Sequence, residues 1–204
     1  MPIIETMTTS RLALVCLTSV FLCVGNAGGQ DKKKAGGDAA LLFEKTLAKA
    51  KDGDVNEMVL LGLRYAHGEG VIEDDKEVVK WYSKAADLGN AEAMFVLGSV
   101  YTSGDEEVAQ DDEEAAKWWK QSAELGYVNA MVQLAVMYAT GKGVTQDIVE
   151  AYAWLNVADA MCDEKKLAMF REKLANHMTP EQAAEAANRS IEIVENLPPD
   201  CCLD

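Results

Sequence analysis

Residues 129–144 read NAMVQLAVMYATGKGV, and two earlier stretches follow the same plan: NEMVLLGLRYAHGEGV at 56–71 and EAMFVLGSVYTSGDEEV at 92–108. Their starts lie 36 and 37 residues apart. Tyr65, Tyr101 and Tyr138 recur in register, followed by Gly68, Gly104 and Gly141 and then by Val71, Val108 and Val144. A second run follows each stretch: EDDKEVVKWYSKAADLG from Glu73, QDDEEAAKWWKQSAELG from Gln110 and QDIVEAYAWLNVADAMC from Gln146. Trp81, Trp118 and Trp154 stand at equivalent places in it. Self-similarity at this period marks an array of helical pairs, in which a unit buries its apolar face only by stacking on its neighbours.

Both runs of a unit are helical by spacing. Ala93, Leu97 and Tyr101 fall at i, i+4 and i+8 on one helix face, with Gly98 beside them where a neighbouring helix needs close approach. In the second run Val78, Trp81, Tyr82, Ala85 and Ala86 make a single apolar stripe. Large residues on one helix are therefore expected to face small ones on the next. Gly68 and Gly70, or Gly141 and Gly143, break the chain between the two helices, and Gly89 and Gly126 sit where a helix end takes a left-handed residue. Asp74, Asp111 and Asp147 come just before the second helix, where a carboxylate caps orphan amides and meets the positive end of the helix dipole.

The joint spacing of Gly, Tyr, Val, Asp and Trp over Asn56–Cys162 resembles the Sel-1-like repeat family, relatives of the tetratricopeptide repeat. That resemblance implies an all-α fold, a right-handed superhelical α/α solenoid of helix-turn-helix repeats, here with units at 56–91, 92–128 and 129–162. Three departures stand out. The second unit carries one extra residue and acids in place of the second Gly, which predicts a looser loop. Ala135 stands where Gly62 and Gly98 do, and Cys162 replaces the terminal Gly. The segment MTPEQAAEA from Met178 resembles the C-terminal helix common after such arrays, and Thr179, Pro180 and Gln182 supply an N-cap, a first-turn proline and a capping-box glutamine. A capping helix is expected at 41–55, C-terminal capping helices within 163–197 and a tail at 198–204.

Upstream of the array, Leu12–Val24 is an apolar run of signal-peptide length, too short to span a bilayer, preceded by Arg11 and followed by small residues. A leader at 1–27, cleaved after Ala27, and a flexible linker at 28–40 are expected. The chain is then exported, periplasmic or extracellular, with no stable membrane insertion once the leader is gone. Cys16 and Cys23 leave with the leader, and Cys162, Cys201 and Cys202 remain. Cys162 pairing with Cys201 or Cys202, a bridge between the adjacent pair, and a tail with no defined bridge all stay open.

The whole chain of 204 residues has 34 acidic and 19 basic side chains, a formal net charge of -15, and 49% hydrophobic residues. A carboxylate surplus of that size repels phosphates and excludes a nucleic-acid partner. The apolar content excludes a disordered acidic chain, and four Pro and fifteen Gly exclude a collagenous one. There is no Gly-rich phosphate loop, HExxH, GxSxG or CxxC, and nothing brings His67 or His177 to a serine and an acid, so no enzyme and no cofactor is expected. Some cysteine-rich members of the resembled family bind or hydrolyse β-lactams, but the cysteine pair in each repeat that they carry is missing from these three units. The acidic runs 105–114 and 69–77 lack EF-hand spacing and read as solvated loops and helix starts rather than a metal site.

The resemblance implies protein or peptide recognition on the concave surface formed by the first helices. Subtracting core positions leaves a stripe at i, i+4, i+7 and i+11 of each: Asn56, Leu60, Leu63 and His67; Glu92, Val96, Ser99 and Ser103; Asn129, Gln133, Val136 and Thr140. The stripe is mostly uncharged and would suit an extended or helical peptide, and the acidic edge would suit a partner with a basic patch. A cell-envelope ligand such as a peptidoglycan fragment, stacked on Trp119, Tyr82 or Tyr127, is the alternative.

Overall fold

The computed structural model describes residues 32–104, 108–162 and 165–199. The chain divides into two units, Met1–Gly36 and Gly37–Asp204, and the repeats lie in the second. The leader expected at 1–27 lies outside the described residues, as do Cys201 and Cys202.

Among the described residues there are nine helices and no strand. They are α1 (Lys32–Lys51), α2 (Val55–His67), α3 (Asp75–Asp87), α4 (Ala91–Ser103), α5 (Asp112–Glu124), α6 (Val128–Thr140), α7 (Ile148–Met161), α8 (Lys165–Ala175) and α9 (Pro180–Asn196). The sequence pairs become helical hairpins, α2 with α3, α4 with α5 and α6 with α7.

The seam inside each hairpin is a small residue on the first helix under a large one on the second. A Cβ on Gly62 would stand 2.7 Å from the Tyr82 ring, and one on Gly98 would overlap the indole of Trp119. In the third unit the same register holds Ala135 and Leu155, both fully buried. Trp119 also donates its Nε1–H to the Phe95 carbonyl at 3.0 Å, and the buried Ser122 hydroxyl donates to Ala91 O at 2.6 Å, which fixes α5 on α4. These bonds satisfy the polar atoms that burial would otherwise leave unpaired.

Caps set the helix starts. Asp74, Asp111 and Asp147 each accept from backbone amides of the following turn, as Asp54 and Asn90 do for first helices. Thr179 and Gln182 close a reciprocal capping box on α9. Between helices, Gly143 has φ +69 and lies so close to Asp112 O on α5 that a Cβ would overlap it. The second loop glycine thus lets one unit's loop seat on the previous unit's second helix. In the second unit the equivalent loop residues lie outside the described residues.

One expectation is corrected at the N-terminal flank. Helix α1 begins at Lys32, inside the segment 28–40 expected to be a linker, and ends at Lys51 rather than at 55. Ala, Lys and Leu propagate the helix through Gly36 and Gly37 because buried Phe43, Thr46 and Ala50 anchor it. Its end is set by Gly53 at φ +98 and by Asp54, whose carboxylate caps α2. Phe43 packs edge-on against Tyr65 of α2 at 5.4 Å, so α1 covers that flank of the array.

At the other flank α7 is apolar on nearly every side. Ala153 and Val157, both buried, occupy the places of Lys80 and Lys84 in the first unit and Lys117 and Gln121 in the second. A helix of that composition needs cover all round. Helices α8 and α9 supply it: Arg189 on α9 pairs with Glu150 at 2.6 Å, and Arg171 on α8 bonds Asp159 and Asn156. Leu167 and Ile193 join the α5–α7 core.

Candidate partner-binding face

None of the twelve stripe residues is fully buried. Asn56, Leu60, His67, Glu92, Ser103, Asn129, Val136 and Thr140 are exposed, and Leu63, Val96, Ser99 and Gln133 are half-buried. Leu60 is 36% and Val136 37% exposed, far from the fully buried Leu61 one position along. Val96 instead packs partly against the core built by α1–α4. It is therefore a structural residue as well as a surface one.

The hydroxyls of the stripe turn back onto their own helices. Ser99 Oγ donates to Phe95 O at 3.1 Å, Ser103 Oγ to Ser99 O at 3.0 Å, and Thr140 Oγ1 to Val136 O at 2.8 Å. Such back-bonding leaves Leu60, Leu63 and Val136, with the amides of Asn56, Gln133 and Asn129 and the ionisable side chains of His67 and Glu92, as the side chains open to a visitor.

The aromatic residues named for ligand stacking are placed otherwise. Tyr82 is 3% and Trp119 5% exposed, each packed against the glycine of its own first helix. Burial pushes the Tyr82 phenol well above its ordinary pKa, with the Glu92 carboxylate adding to the shift. Tyr127 is half-buried, its ring 5.2 Å from that of Phe95, which in turn stacks on Trp119 at 6.5 Å. These rings are inter-helix packing, and as stacking platforms Tyr82 and Trp119 are ruled out. Phe95 does not stand out in the sequence, because its equivalents are Val59 and Val132 and the position reads as ordinary core. The signal was Tyr127, which replaces the capping side chain found before α2 and α4 and makes no cap bond to α6.

Many of the described acids in the two runs are engaged within the fold. Asp74 and Asp111 cap helices, Glu77 accepts from Lys80 Nζ and from Trp81 Nε1 at 3.0 Å, Glu114 pairs with Lys117 at 2.9 Å, and Asp112 meets Lys142 of the next unit's loop at 3.0 Å. Residues 105–107 lie outside the described residues. Among the described residues no group of three or more His, Cys, Asp or Glu is placed to hold a metal. His177 Nδ1 lies 2.8 Å from the Lys173 carbonyl and His67 is exposed, so the two histidines have no shared site. The Cys162 thiol donates to Ala158 O at 3.3 Å. No helix among the described residues is long and apolar enough to cross a membrane.

Comparison with known proteins agrees with this helical-repeat fold. The Sel1 repeat family model matches three consecutive segments, residues 58–90, 91–127 and 128–158. Among solved structures, a Sel1 repeat protein from Oxalobacter formigenes is 29% identical with a TM-score of 0.58, over 64% of this chain and 96% of that one. The c5321 protein, a protective antigen of uropathogenic Escherichia coli strains displaying an SLR fold, is 25% identical with a TM-score of 0.50, over 78% of this chain; this chain spans 42% of its length. Helicobacter pylori cysteine rich protein B shares the fold at 17% identity and a TM-score of 0.54, over 66% of this chain and 98% of its own. No curated protein sequence matches the chain. Sel1 repeats are helical-repeat scaffolds that typically mediate protein interactions, and the family is generally non-catalytic. The array at residues 58–158 belongs to the Sel1 repeat family.

Proposed function

We propose that this chain is an exported, non-enzymatic scaffold that captures a protein or peptide along the stripe of its first helices. The observation that carries the reading is the exposed pair Leu60 and Val136, on equivalent faces of α2 and α6, in a stripe whose hydroxyls are already bonded to their own helices. A face of that kind gains affinity by burying apolar side chains and orientation from a few amides. The acidic edge favours a partner with a basic patch, whose association would be faster at low salt. Export rests on the Leu12–Val24 run, and the periplasm or the cell exterior is the compartment it suits. The alternative, a peptidoglycan-fragment binder, loses two of its three named stacking surfaces with the burial of Tyr82 and Trp119.

The test is recovery of partners from the protein's own envelope fraction with the mature chain as bait, alongside a Leu60→Asp/Val136→Asp variant. Val96 is left alone because it also supports the core. A single stoichiometric protein that is lost with the variant, at unchanged helicity and melting temperature, supports the scaffold. Equal recovery by both baits, or binding to purified cell wall with no protein, contradicts it.

A further inference from the structure

Charge is scarce on the first helices, and one charge is left open. His67 aside, α2, α4 and α6 carry three charged side chains, Glu57, Arg64 and Glu92. Glu57 pairs with Lys49 of α1 at 2.6 Å, and the buried Arg64 lies 3.7 Å from Glu69. Glu92 is exposed and has no ion-pair partner among the described residues. At the same register α2 and α6 have Asn56 and Asn129, exposed amides whose side chains make no hydrogen bond among the described residues. An acid in a first turn favours the helix dipole, but α6 starts without one and α2 carries its own a position later, at Glu57. The surroundings of Glu92 are negative as well. Residues 51–54, 87–90 and 124–127, which lead into the three helices, have four acids, Asp52, Asp54, Asp87 and Glu124, and one base, Lys51. The segments that leave them, 68–74, 104–111 and 141–147, have one base, Lys142, which pairs with Asp112 at 3.0 Å.

We infer that the stripe takes an extended peptide in which a Lys or Arg stands between two apolar residues, the cation on Glu92 and the apolar side chains on Leu60 and Val136. The inference rests on the partner-binding reading above and adds the chemistry of the partner. The order of residues follows from the order of helices: the second unit lies between the first and third, so a chain crossing from α2 to α6 meets Glu92 between the two exposed apolar side chains. Val96, one turn along α4 from Glu92, is half-buried and gives the methylene stem of a Lys or Arg an apolar surface to lie on. The amides favour an extended chain over a helix. Asn56 and Asn129 each offer a donor and an acceptor, and an extended peptide has main-chain groups free to meet them, whereas a helix uses its own internally. Charge decides the sign. An acidic residue at the centre is repelled by Glu92 and by the net charge of -15, and a neutral one leaves the carboxylate without a partner.

The experiment pans a random-peptide phage library on the full chain and on its Glu92→Lys and Leu60→Asp/Val136→Asp variants, with circular dichroism to check that each keeps its helices. The wild type is expected to select peptides with a Lys or Arg between two apolar residues, Glu92→Lys to select an acid at that central place, and the double variant to lose the consensus. A peptide of the wild-type consensus is then synthesised and its affinity measured by fluorescence anisotropy. Glu92→Gln should weaken it about threefold to fivefold, the range of an exposed ion pair, and flatten its salt dependence. Glu185→Gln, which removes the same charge from an exposed site on α9, should leave the affinity unchanged. An apolar consensus that is lost with Leu60→Asp/Val136→Asp but carries no basic residue overturns the inference and leaves the groove standing. Equal weakening by Glu92→Gln and Glu185→Gln does the same, because the attraction is then to net charge and not to Glu92. No consensus on the wild type, or one that the double variant retains, overturns the groove and the inference together.

Discussion

The second and third repeats solve one packing problem in two ways. In the second, Gly98 lies under Trp119, and the outer positions of α5 carry Lys117 and Gln121. In the third, Ala135 lies against the smaller Leu155, and the outer positions of α7 are Ala153 and Val157, fully buried or nearly so. The first change shows that the seam keeps summed volume rather than any one residue. The second shows that position in the array rewrites the pattern: the unit followed by α8 and α9 loses its solvent face, and its lysines with it.

Placing the first unit's residue in the third gives the largest expected effect. Val157→Lys, which restores the counterpart of Lys84, would bury an ammonium group under the C-terminal helices and cost on the order of 3 kcal/mol. A large fall in melting temperature is expected, whereas Gln121→Lys at the equivalent exposed site should leave it unchanged. An unaffected Val157→Lys would mean that α8 and α9 do not cover α7 in solution.

The seam comes next. Gly98→Ala overpacks the indole and should cost about 2 kcal/mol. Combined with Trp119→Leu, which copies the third unit's pair, the two changes should together cost about 1 kcal/mol less than their sum in a double-mutant cycle of denaturant unfolding. Strict additivity would break the volume argument. The caps, by contrast, are where the units agree. Asp111→Ala and Asp147→Ala should each cost about 1 kcal/mol, because both carboxylates take amides of the following turn.

The smallest effect has the opposite sign. Arg64 in the first unit stands where Met137 does in the third, buried, with its Nε lacking a hydrogen-bond partner among the described residues and only a 3.7 Å contact from Nη1 to Glu69. Arg64→Met should leave melting unchanged or add about 1 kcal/mol of stability, since a weakly paired buried charge returns little of its desolvation cost.

Much of this fold was legible because its determinants are local and repeated. Trp, Gly and Asp at a fixed period name the seam, the turns and the caps, and each recurrence checks the others. The start of α1 was not legible: Gly36 and Gly37 read as linker, and what extends the helix is the burial of Phe43 and Thr46 against the array, a tertiary effect. The site was legible only as a stripe. Periodicity placed its residues on one face, but it gave no sign that Val96 leans into the core, that Ser99, Ser103 and Thr140 bond their own helices, or that Trp119 is buried against Gly98. Those outcomes depend on side-chain rotamers and on how neighbouring helices pack, which periodicity does not carry.

The most direct test of the scaffold reading is site-specific photocrosslinking in the cells that make the protein. A crosslinking residue at Leu60 or Val136 samples the first-helix stripe, and one at Lys84 or Lys117 samples the outer side of the second helices. The account predicts one discrete adduct from the first two positions and none from the last two. The same adduct from Lys84 or Lys117, with none from Leu60 or Val136, would contradict it.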